Sequence, residues 1–325
     1  MSLALENVRI LDFSRIWAGP HCTKLLADMG AEVIKVESTK IWDPHRTIVG
    51  SGNLPNGEPG KDPWNRSGWF NTLHMSKYGI TLDLTTQIGR LIAKELVSIS
   101  DVVIENFRSG LMDKIGLGYE MLREEKPDLI MVSMPAFGNT GPWKEFIQYG
   151  VGQEQLGGIS SMTGYHDDDA PIKSGVNFGD PIAGTHAAGA VISALLYRRR
   201  SGEGLFIDFS QLESTVSVIG EHILDYQMNR CSPEKQGNRH PNYAPQGVYR
   251  CRTISSSEDI NHVQEEDWVT IAVTSDVEWE NLCRVIGKPE LTTDDRFINA
   301  VARQDHIEEL DEILSHWVAD FTSYE

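Results

Sequence analysis

The first 230 residues alternate between short apolar runs and stripes of apolar residues with helical spacing. Residues 8–13 (VRILDF) and 32–36 (EVIKV) are predicted to be buried strands, and residues 20–29 a helix that ends at Gly30. Further strands are predicted at 80–84 (ITLDL), 101–106 (DVVIEN), 129–134 (LIMVSM) and 204–210 (GLFIDFS). Strands separated by helices indicate an α/β fold with a doubly wound, mostly parallel sheet.

Two of the connecting segments carry clear helix signals. Ile88, Leu91, Ile92 and Leu96 have the spacing of an amphipathic helix. In the second segment, Asp180 followed by Pro181 matches an N-cap with proline at the first helical position. Arg198–Arg200 and then Gly202 match a helix C-terminus. These signals predict a helix over 181–200, and its many Ala and Gly residues predict close packing against the sheet.

The character of the chain changes near residue 230. A polar loop there is followed by a predicted strand (WVTIAV, 268–273) and by helices around Trp279 and over 303–318. We therefore expect a large domain at 1–229 and a smaller α+β domain at 230–325. Residues 38–69 are rich in Gly, Pro, Asn and Trp, which predicts a flap or binding loop.

Charge and composition exclude several classes of partner. The chain has 325 residues, with 29 Lys and Arg against 47 Asp and Glu, which gives a net charge of −18. A surface this acidic opposes binding to nucleic acid or to anionic lipid. We expect no secretory segment from the first residues, and the sequence contains no run of apolar residues long enough to span a membrane. The four cysteines form no CxxC pair, so a reducing cytoplasm is the expected location.

Common catalytic motifs are absent, and three candidate sites remain. The sequence contains no GxGxxG, GxxxxGK[ST], GxSxG or HExxH motif. The acidic run 167–169 is expected to be a solvated loop, so no metal site is predicted. Cys22, beside His21 near a predicted helix start, is either an activated thiol or, as we favour, a buried structural cysteine. Asp180, flanked by glycines, is either a helix N-cap, which its spacing favours, or a reactive carboxylate.

Several segments together resemble the family III CoA transferases, whose members include the formyl-CoA, carnitine and benzylsuccinate enzymes. The resemblance spans nearly the whole chain and rests on LDFSRIWAGPHCTKLLADMGAEVIKVE (11–37), ITLDL (80–84), DVVIENFRSGLMDKIGLGYEML (101–122), AFGNTGPW (136–143) and GDPIAG (179–184). It implies a Rossmann-like large domain, a small domain and two chains that interlock as rings. Relatives continue into a C-terminal return segment, so we expect that segment to be absent from this chain.

The resemblance also assigns the chemistry. The catalytic aspartate of the family's G-D-x-x-A-G segment falls on Asp180. It implies a mixed anhydride and then an aspartyl-CoA thioester at this residue, with CoA passing from an acyl-CoA to a carboxylic acid. Tyr149 matches a tyrosine at the active site of the formyl-CoA-type enzymes. No tightly bound cofactor is implied, because CoA arrives as a substrate. The positions implied to bind CoA are Arg15, Ile16, Trp17, Ala18, Lys77, Asn106, Phe107 and Lys114.

Departures from the family pattern narrow the substrate and leave alternatives. Trp17 replaces a glutamine of the formyl-CoA transferases, Gly150 replaces a carboxylate beside the tyrosine, and Ser38 replaces a basic residue near the CoA phosphates. We therefore expect neither formate nor oxalate, and a larger or more apolar acid instead. One alternative is an α-methylacyl-CoA racemase, although racemases carry histidine where Tyr149 stands and a phenol is a poor proton-transfer partner at neutral pH. Another is a non-catalytic subunit of a heteromer with a paralogous chain, rather than a homodimer.

Overall fold

The computed structural model describes residues 3–47, 54–165, 170–253 and 266–325. It divides into two compact units. The first comprises Met1–Ser160 and Lys173–Ser232, and the second comprises Ser161–Ile172 and Pro233–Glu325. The acidic run Asp167–Asp169 and part of the predicted 38–69 loop lie outside the described residues.

A parallel sheet of six strands forms the centre of the first unit, in the order β3-β2-β1-β4-β5-β6. Its strands are β1 (Arg9–Asp12), β2 (Glu32–Glu37), β3 (Lys77–Thr81), β4 (Val102–Glu105), β5 (Ile130–Ser133) and β6 (Leu205–Asp208). The order reverses direction between β1 and β4, as it does in doubly wound nucleotide-binding folds. The predicted α/β fold class is confirmed.

Helices of the first unit cover both faces of this sheet. They are α1 (Ala18–Asp28), α2 (Pro44–Thr47), α3 (Gly68–Leu73), α4 (Gln87–Ser98), α5 (Leu111–Lys114), α6 (Tyr119–Glu125), α7 (Gly150–Leu156), α8 (Ile159–Met162), which continues into the second unit, α9 (Gly179–Ser201), α10 (Gln211–Val216) and α11 (Gly220–Asn229). Short 3-10 turns lie at Pro55–Gly57, Pro63–Asn65 and Ser217–Ile219. Buried residues of α1 and α9 pack on one face of the sheet, and those of α4, α5 and α6 pack on the other. None of the helices in the described ranges is long and apolar enough to cross a lipid bilayer.

Two predicted elements differ from the structure. The third strand runs over Lys77–Thr81 rather than 80–84, because β3 is the edge strand and its half-exposed residues show no apolar run. The apolar stripe of α4 is exposed at Ile88 and Leu91, whereas Gly89, Ala93 and Val97 are buried. Small residues face the sheet here because a Cβ at position 89 would lie 2.1 Å from the carbonyl oxygen of Asp83.

The α9 helix begins earlier than predicted and its first turn is built differently. It runs over Gly179–Ser201 and ends at Gly202, which has the predicted left-handed conformation (φ +77°). Its N-cap residue is Phe178, so the prediction that Asp180 is the N-cap is wrong. One face of the helix is buried, including Ala183 and Ala187, and the other face is exposed.

The second unit has its own core. Its antiparallel strands are β7 (Gln246–Arg250) and β8 (Trp268–Ala272), and its helices are α12 (Asp276–Val285), α13 (Ala300–Asp305) and α14 (Ile307–Val318), with a 3-10 turn at Pro289–Thr293. Trp279, Phe297, Leu310 and Leu314 are among the buried residues of this core. The unit is therefore α+β.

Candidate active site

Two cavities lie at the carboxyl ends of the parallel strands, where β1 and β4 are neighbours and the strand order reverses. Open α/β sheets bind ligands at this point because the loops after the two strands diverge and leave a crevice. The larger cavity, of about 460 Å³, lies beyond β1, β2 and β3 and extends to Phe107 and Ile115. The smaller one, of about 180 Å³, contains Asp180 and is called the Asp180 cavity below.

The carboxylate of Asp180 lies in the first turn of α9 and is almost completely buried. The backbone N–H groups of Gly150 and Ala18, the first residues of α7 and α1, face it and lower its pKa by favouring the ionised form. Such N–H groups have no partner within their own helix, so they are available to an anion. Burial nevertheless raises the pKa of Asp180 to about 6, and the negative charge of Glu154 adds to this increase.

Missing side chains allow these helices to approach Asp180. A Cβ atom at Gly150 would lie 2.2 Å from Oδ2 of Asp180. A Cβ atom at Gly184, one turn along α9, would lie 2.6 Å from the carbonyl oxygen of Ala18. Real Cβ atoms essentially never come this close to other heavy atoms. The two glycines therefore set the distance between the carboxylate and its donors.

Glu154, rather than Asp180, binds the backbone at the start of α9. Its side chain is fully buried, and Oε1 accepts a hydrogen bond from the backbone N–H of Phe178 (2.5 Å), the N-cap residue of α9. Oε2 accepts one from the hydroxyl of Ser174 (2.7 Å). Glu154 thus contacts the start of α9, and Asp180 in the first turn of that helix lines the cavity.

The turn before α1 is strained. Ile16 has φ +67°, a left-handed conformation that is rare for β-branched residues and costs roughly 1–3 kcal/mol. The Asn106 side chain holds this turn by accepting from the N–H of Arg15 (2.7 Å) and donating to its carbonyl oxygen (2.8 Å). Asp43 accepts from the N–H of Ile16 (2.9 Å). The turn leads directly to Ala18, whose N–H points at Asp180.

Most of the predicted site residues lie around the two cavities. Ile16, Asn106, Tyr149 and Asp180 line the Asp180 cavity, and Phe107 lines both cavities. Tyr149 is exposed at the rim. The sequence did not single out Arg108 and Gln148, which also line the Asp180 cavity. Arg108 lies just after β4, so its place at the carboxyl edge was available as a signal, whereas nothing in the pattern marks Gln148.

The predicted residues of the N-terminal turn have distinct surroundings. Arg15 lines the larger cavity, and its guanidinium donates to the carbonyl oxygen of Trp42. The Trp17 ring makes an edge-on contact with the Trp69 ring, with centroids 4.7 Å apart. Ala18 is fully buried and lines neither cavity, and it is the backbone N–H of this residue that faces Asp180.

The two predicted lysines do not line either cavity. The Nζ atom of Lys77 lies below the sheet edge, 2.7 Å from the hydroxyl of Thr23, 2.9 Å from the carbonyl oxygen of Pro20 and 3.3 Å from the carboxylate of Asp12. Its side chain is 1% exposed, which argues against the predicted contact with CoA. Lys114 is exposed on α5. The residues that bring positive charge to the larger cavity are Arg15, Lys35 and Arg90.

The alternative centres have less support. Cys22 is fully buried in the core between α1 and the sheet, and burial raises the pKa of its thiol far above the ordinary value. It is therefore a structural cysteine. Within the described residues, no group of three or more His, Cys, Asp or Glu side chains is arranged to hold a metal ion.

The chain is similar to known CoA-transferases along almost its whole length. A family model described as CoA-transferase family III matches residues 5–325. The sequence is 36% identical over 320 residues to the succinyl-CoA–D-citramalate CoA-transferase of Chloroflexus aurantiacus, covering 98% of this chain and 74% of that protein. It is 34% identical over 324 residues to the succinyl-CoA:mesaconate CoA-transferase of Haloarcula hispanica, covering 98% and 76%. The crystal structure of a CAIB/BAIF family protein from Brucella suis matches with a TM-score of 0.84 and 33% identity, covering 99% of this chain and 80% of that one.

Proposed function

The chain belongs to CoA-transferase family III, and on that premise we propose that it transfers CoA from an acyl-CoA to a carboxylic acid through covalent intermediates on Asp180. The observation that carries this proposal is a nearly buried carboxylate with two backbone N–H donors at a cavity of the switch point. A carboxylate nucleophile has to be ionised to attack. With a pKa of about 6, Asp180 is ionised at neutral pH and is still more basic than an ordinary aspartate.

The reaction balances without an external base. An Oδ atom of Asp180 attacks the thioester carbonyl, the C–S bond breaks, and CoA leaves as a thiolate from a mixed anhydride. The thiolate attacks Cγ of Asp180, which releases the donor acid as a carboxylate and leaves an aspartyl-CoA thioester. The acceptor carboxylate then attacks Cγ and expels the thiolate, which leaves a second mixed anhydride. The thiolate attacks the acyl carbonyl of this anhydride, the bond from that carbonyl to the Asp180 oxygen breaks, and the products are the new acyl-CoA and the restored Asp180 carboxylate.

The donors around Asp180 suit these steps. Whenever a nucleophile adds to Cγ, one oxygen of the former carboxylate becomes an oxyanion. The N–H groups of Gly150 and Ala18 already point at these oxygens, so they need little reorganisation to stabilise that charge. The exposed hydroxyl of Tyr149, at the rim of the same cavity, is suited to hydrogen-bond an anhydride or an entering carboxylate.

The larger cavity suits the nucleotide portion of CoA. Apolar residues such as Leu82, Leu84 and Ile115 offer a surface for the adenine, and Arg15 and Arg90 bring charge for phosphates. Because Phe107 lines both cavities, a pantetheine arm passing along it connects the nucleotide to Asp180. In this arrangement Asn106 holds the turn before α1 and Lys77 pairs with Asp12 in the interior, and neither residue binds a phosphate.

We infer that the acids are short dicarboxylic acids. Succinate, citramalate and mesaconate, named for the two curated relatives, all carry two carboxyl groups. No histidine is among the described residues that line the Asp180 cavity, so a racemase would lack the second proton-transfer group that the resemblance requires. The homodimer stays a prediction, and the molar mass of the purified chain in solution tests it against the heteromer.

The function is tested by trapping the intermediate. The protein is incubated with succinyl-CoA, quenched with hydroxylamine and digested, and the modified peptide is identified by mass spectrometry. We expect a hydroxamate at Asp180 and none in the Asp180→Asn variant. Glu154, a buried carboxylate that contacts the same helix, is the internal control and is expected to stay unmodified. A hydroxamate at another residue, or at none, would contradict the proposal.

A further inference from the structure

The amide of Gln148 has no hydrogen-bond partner, although both of its polar atoms are buried. Neither Oε1 nor Nε2 has a partner among the described residues. The residue lines the Asp180 cavity. Buried amides in folded proteins are almost always hydrogen-bonded, because an unsatisfied group loses its bonds to water without replacement. A lone unsatisfied amide beside a nucleophile is therefore a candidate ligand contact.

Neighbouring amides show that this part of the fold can satisfy such groups. Gln153 donates through Nε2 to Oε1 of Gln211 (2.7 Å), and Gln211 donates to the carbonyl oxygen of Met134. The hydroxyl of Thr215 donates to Oε1 of Gln153. Gln148 stays outside this network.

The Gln148 side chain lies close to the backbone of α7. A Cβ atom added to Gly152, in the first turn of that helix, would lie 2.8 Å from Oε1 of Gln148. The amide therefore lies between this helix and the cavity without a protein partner. Preorganised polar groups of this kind give specificity, since they lose nothing when the right ligand binds and are left unpaired by the wrong one.

The other features of the cavity point to an acid with a second negative group. Arg108 is the one cationic side chain among the described residues that line it, and Phe107, Phe146 and Ile147 provide apolar walls. The volume of about 180 Å³ equals that of about six water molecules in the liquid, which suits a short carbon chain. One end of such an acid reacts at Asp180, and the other end needs a donor and a positive charge.

We propose that the Gln148 amide donates to the non-reacting carboxylate of a short dicarboxylic acid, with Arg108 balancing its charge, and that Gln148 thereby selects dicarboxylic over monocarboxylic substrates. This inference rests on the function proposed for Asp180. It assigns to Gln148 a specificity role that the reacting groups cannot provide, because the thioester end is the same in both classes of substrate.

The test compares two acyl-CoAs of equal carbon number. Succinyl-CoA carries the second carboxylate and butyryl-CoA lacks it, and the rate at which each forms the Asp180 hydroxamate reports the first half-reaction alone. Gln148→Met removes the amide and keeps the length of the side chain. We expect this variant to lower the rate with succinyl-CoA by about 10- to 100-fold, the usual range for losing a hydrogen bond to a charged group. The rate with butyryl-CoA is expected to stay nearly unchanged.

Controls separate specificity from folding and from the function itself. Gln155→Met changes an exposed glutamine of α7, the helix that follows Gln148, and is expected to affect neither rate. Gln148→Glu, which places a like charge against the second carboxylate, is expected to be more selective against succinyl-CoA than Gln148→Met. Equal losses with both acyl-CoAs, or no loss with either, would overturn the role of Gln148 while labelling of Asp180 still supports the function. Failure of the parent protein to form any Asp180 hydroxamate would overturn both.

Discussion

Replacing Asp180 with asparagine is expected to abolish transfer and to change the stability of the folded protein in a pH-dependent way. The stability of the variant relative to the parent should be greater at neutral pH than at acid pH. The carboxyl group is 8% exposed, and burial raises its pKa from 3.8 to about 6. One pKa unit corresponds to about 1.4 kcal/mol, so an increase of about two units corresponds to about 3 kcal/mol of unfolding free energy.

The sign of this contribution follows from proton binding. Between pH 3.8 and about 6 the folded protein keeps a proton on Asp180 that the unfolded chain releases. The stability that this group contributes is therefore complete below pH 3.8 and is lost as the pH rises through 6. Above that pH the parent protein holds a buried negative charge, and the asparagine variant does not.

The variant also loses hydrogen bonding at this position, which opposes its gain in stability by an amount that does not depend on pH. Asparagine has a single acceptor oxygen for the N–H groups of Gly150 and Ala18, and its own NH₂ group faces one of them. That mismatch costs about 1–3 kcal/mol. The measured quantity is the stability of the variant minus that of the parent, determined at about pH 7.5 and at about pH 4.5. We expect this difference to be larger at pH 7.5 by about 2 kcal/mol, rather than the full 3 kcal/mol, because at pH 4.5 the unfolded chain has already released most of the Asp180 proton.

The assay is urea unfolding followed by tryptophan fluorescence, at one protein concentration and at both pH values. Other groups that titrate in this interval, such as Glu105, whose pKa burial raises to about 7, act equally in both proteins and cancel. Asp83→Asn is the control. The hydrogen bond from Lys40 lowers the pKa of Asp83, so this group titrates below the interval. The stability of Asp83→Asn minus that of the parent should therefore be the same at both pH values. A pH-independent difference for Asp180→Asn would refute the reasoning.

Three further substitutions test how the site is built. Gly150→Ala is expected to lower kcat by about 100-fold, because the new methyl group would overlap the nucleophile. Gly175→Ala is the control and should have unchanged steady-state kinetics, because nothing lies within 4 Å of a Cβ at this position. Glu154→Gln removes a charge that raises the pKa of the nucleophile, so the acid limb of the pH–rate profile should move to lower pH, and an unchanged limb would contradict this. Lys77→Met breaks a buried ion pair and is expected to cost about 3–5 kcal/mol in urea unfolding, whereas Lys114→Met is expected to cost almost nothing. If both lysine variants instead lost CoA affinity equally and neither lost stability, the result would support the predicted contacts of these lysines with CoA.

The sheet was predictable because buried parallel strands appear in a sequence as short apolar runs. This holds for β1, β2, β4 and β5, which pack on both faces, and the prediction was displaced by three residues only at the edge strand β3. The spacing of α4 identified the helix but not its buried face. Contact with the backbone near Asp83 selects small residues there, and no hydrophobic scale contains that information.

The site was only partly predictable because its parts are distant in sequence. Spacing favoured Asp180 as a cap, and it could not show that Glu154, 24 positions before Phe178, binds the start of this helix instead. Lys77 was expected to bind CoA, and only its contact with Asp12, 65 positions away, shows that its side chain lies in the interior. The left-handed backbone of Ile16 could not be predicted from a β-branched residue, because such residues avoid this conformation.

The strained turn at Ile16 shows how the fold maintains the donor side of the site. Its cost of roughly 1–3 kcal/mol is opposed by three hydrogen bonds, two with the Asn106 side chain and one with Asp43, each worth about 0.5–1.5 kcal/mol. The two sums are of similar size, so the turn is stable only while both side chains hold it. Because Asn106 follows β4 and Asp43 precedes α2, the direction of the Ala18 N–H depends on segments on both sides of β1. The donor geometry at Asp180 is therefore a property of the assembled sheet edge rather than of any single motif.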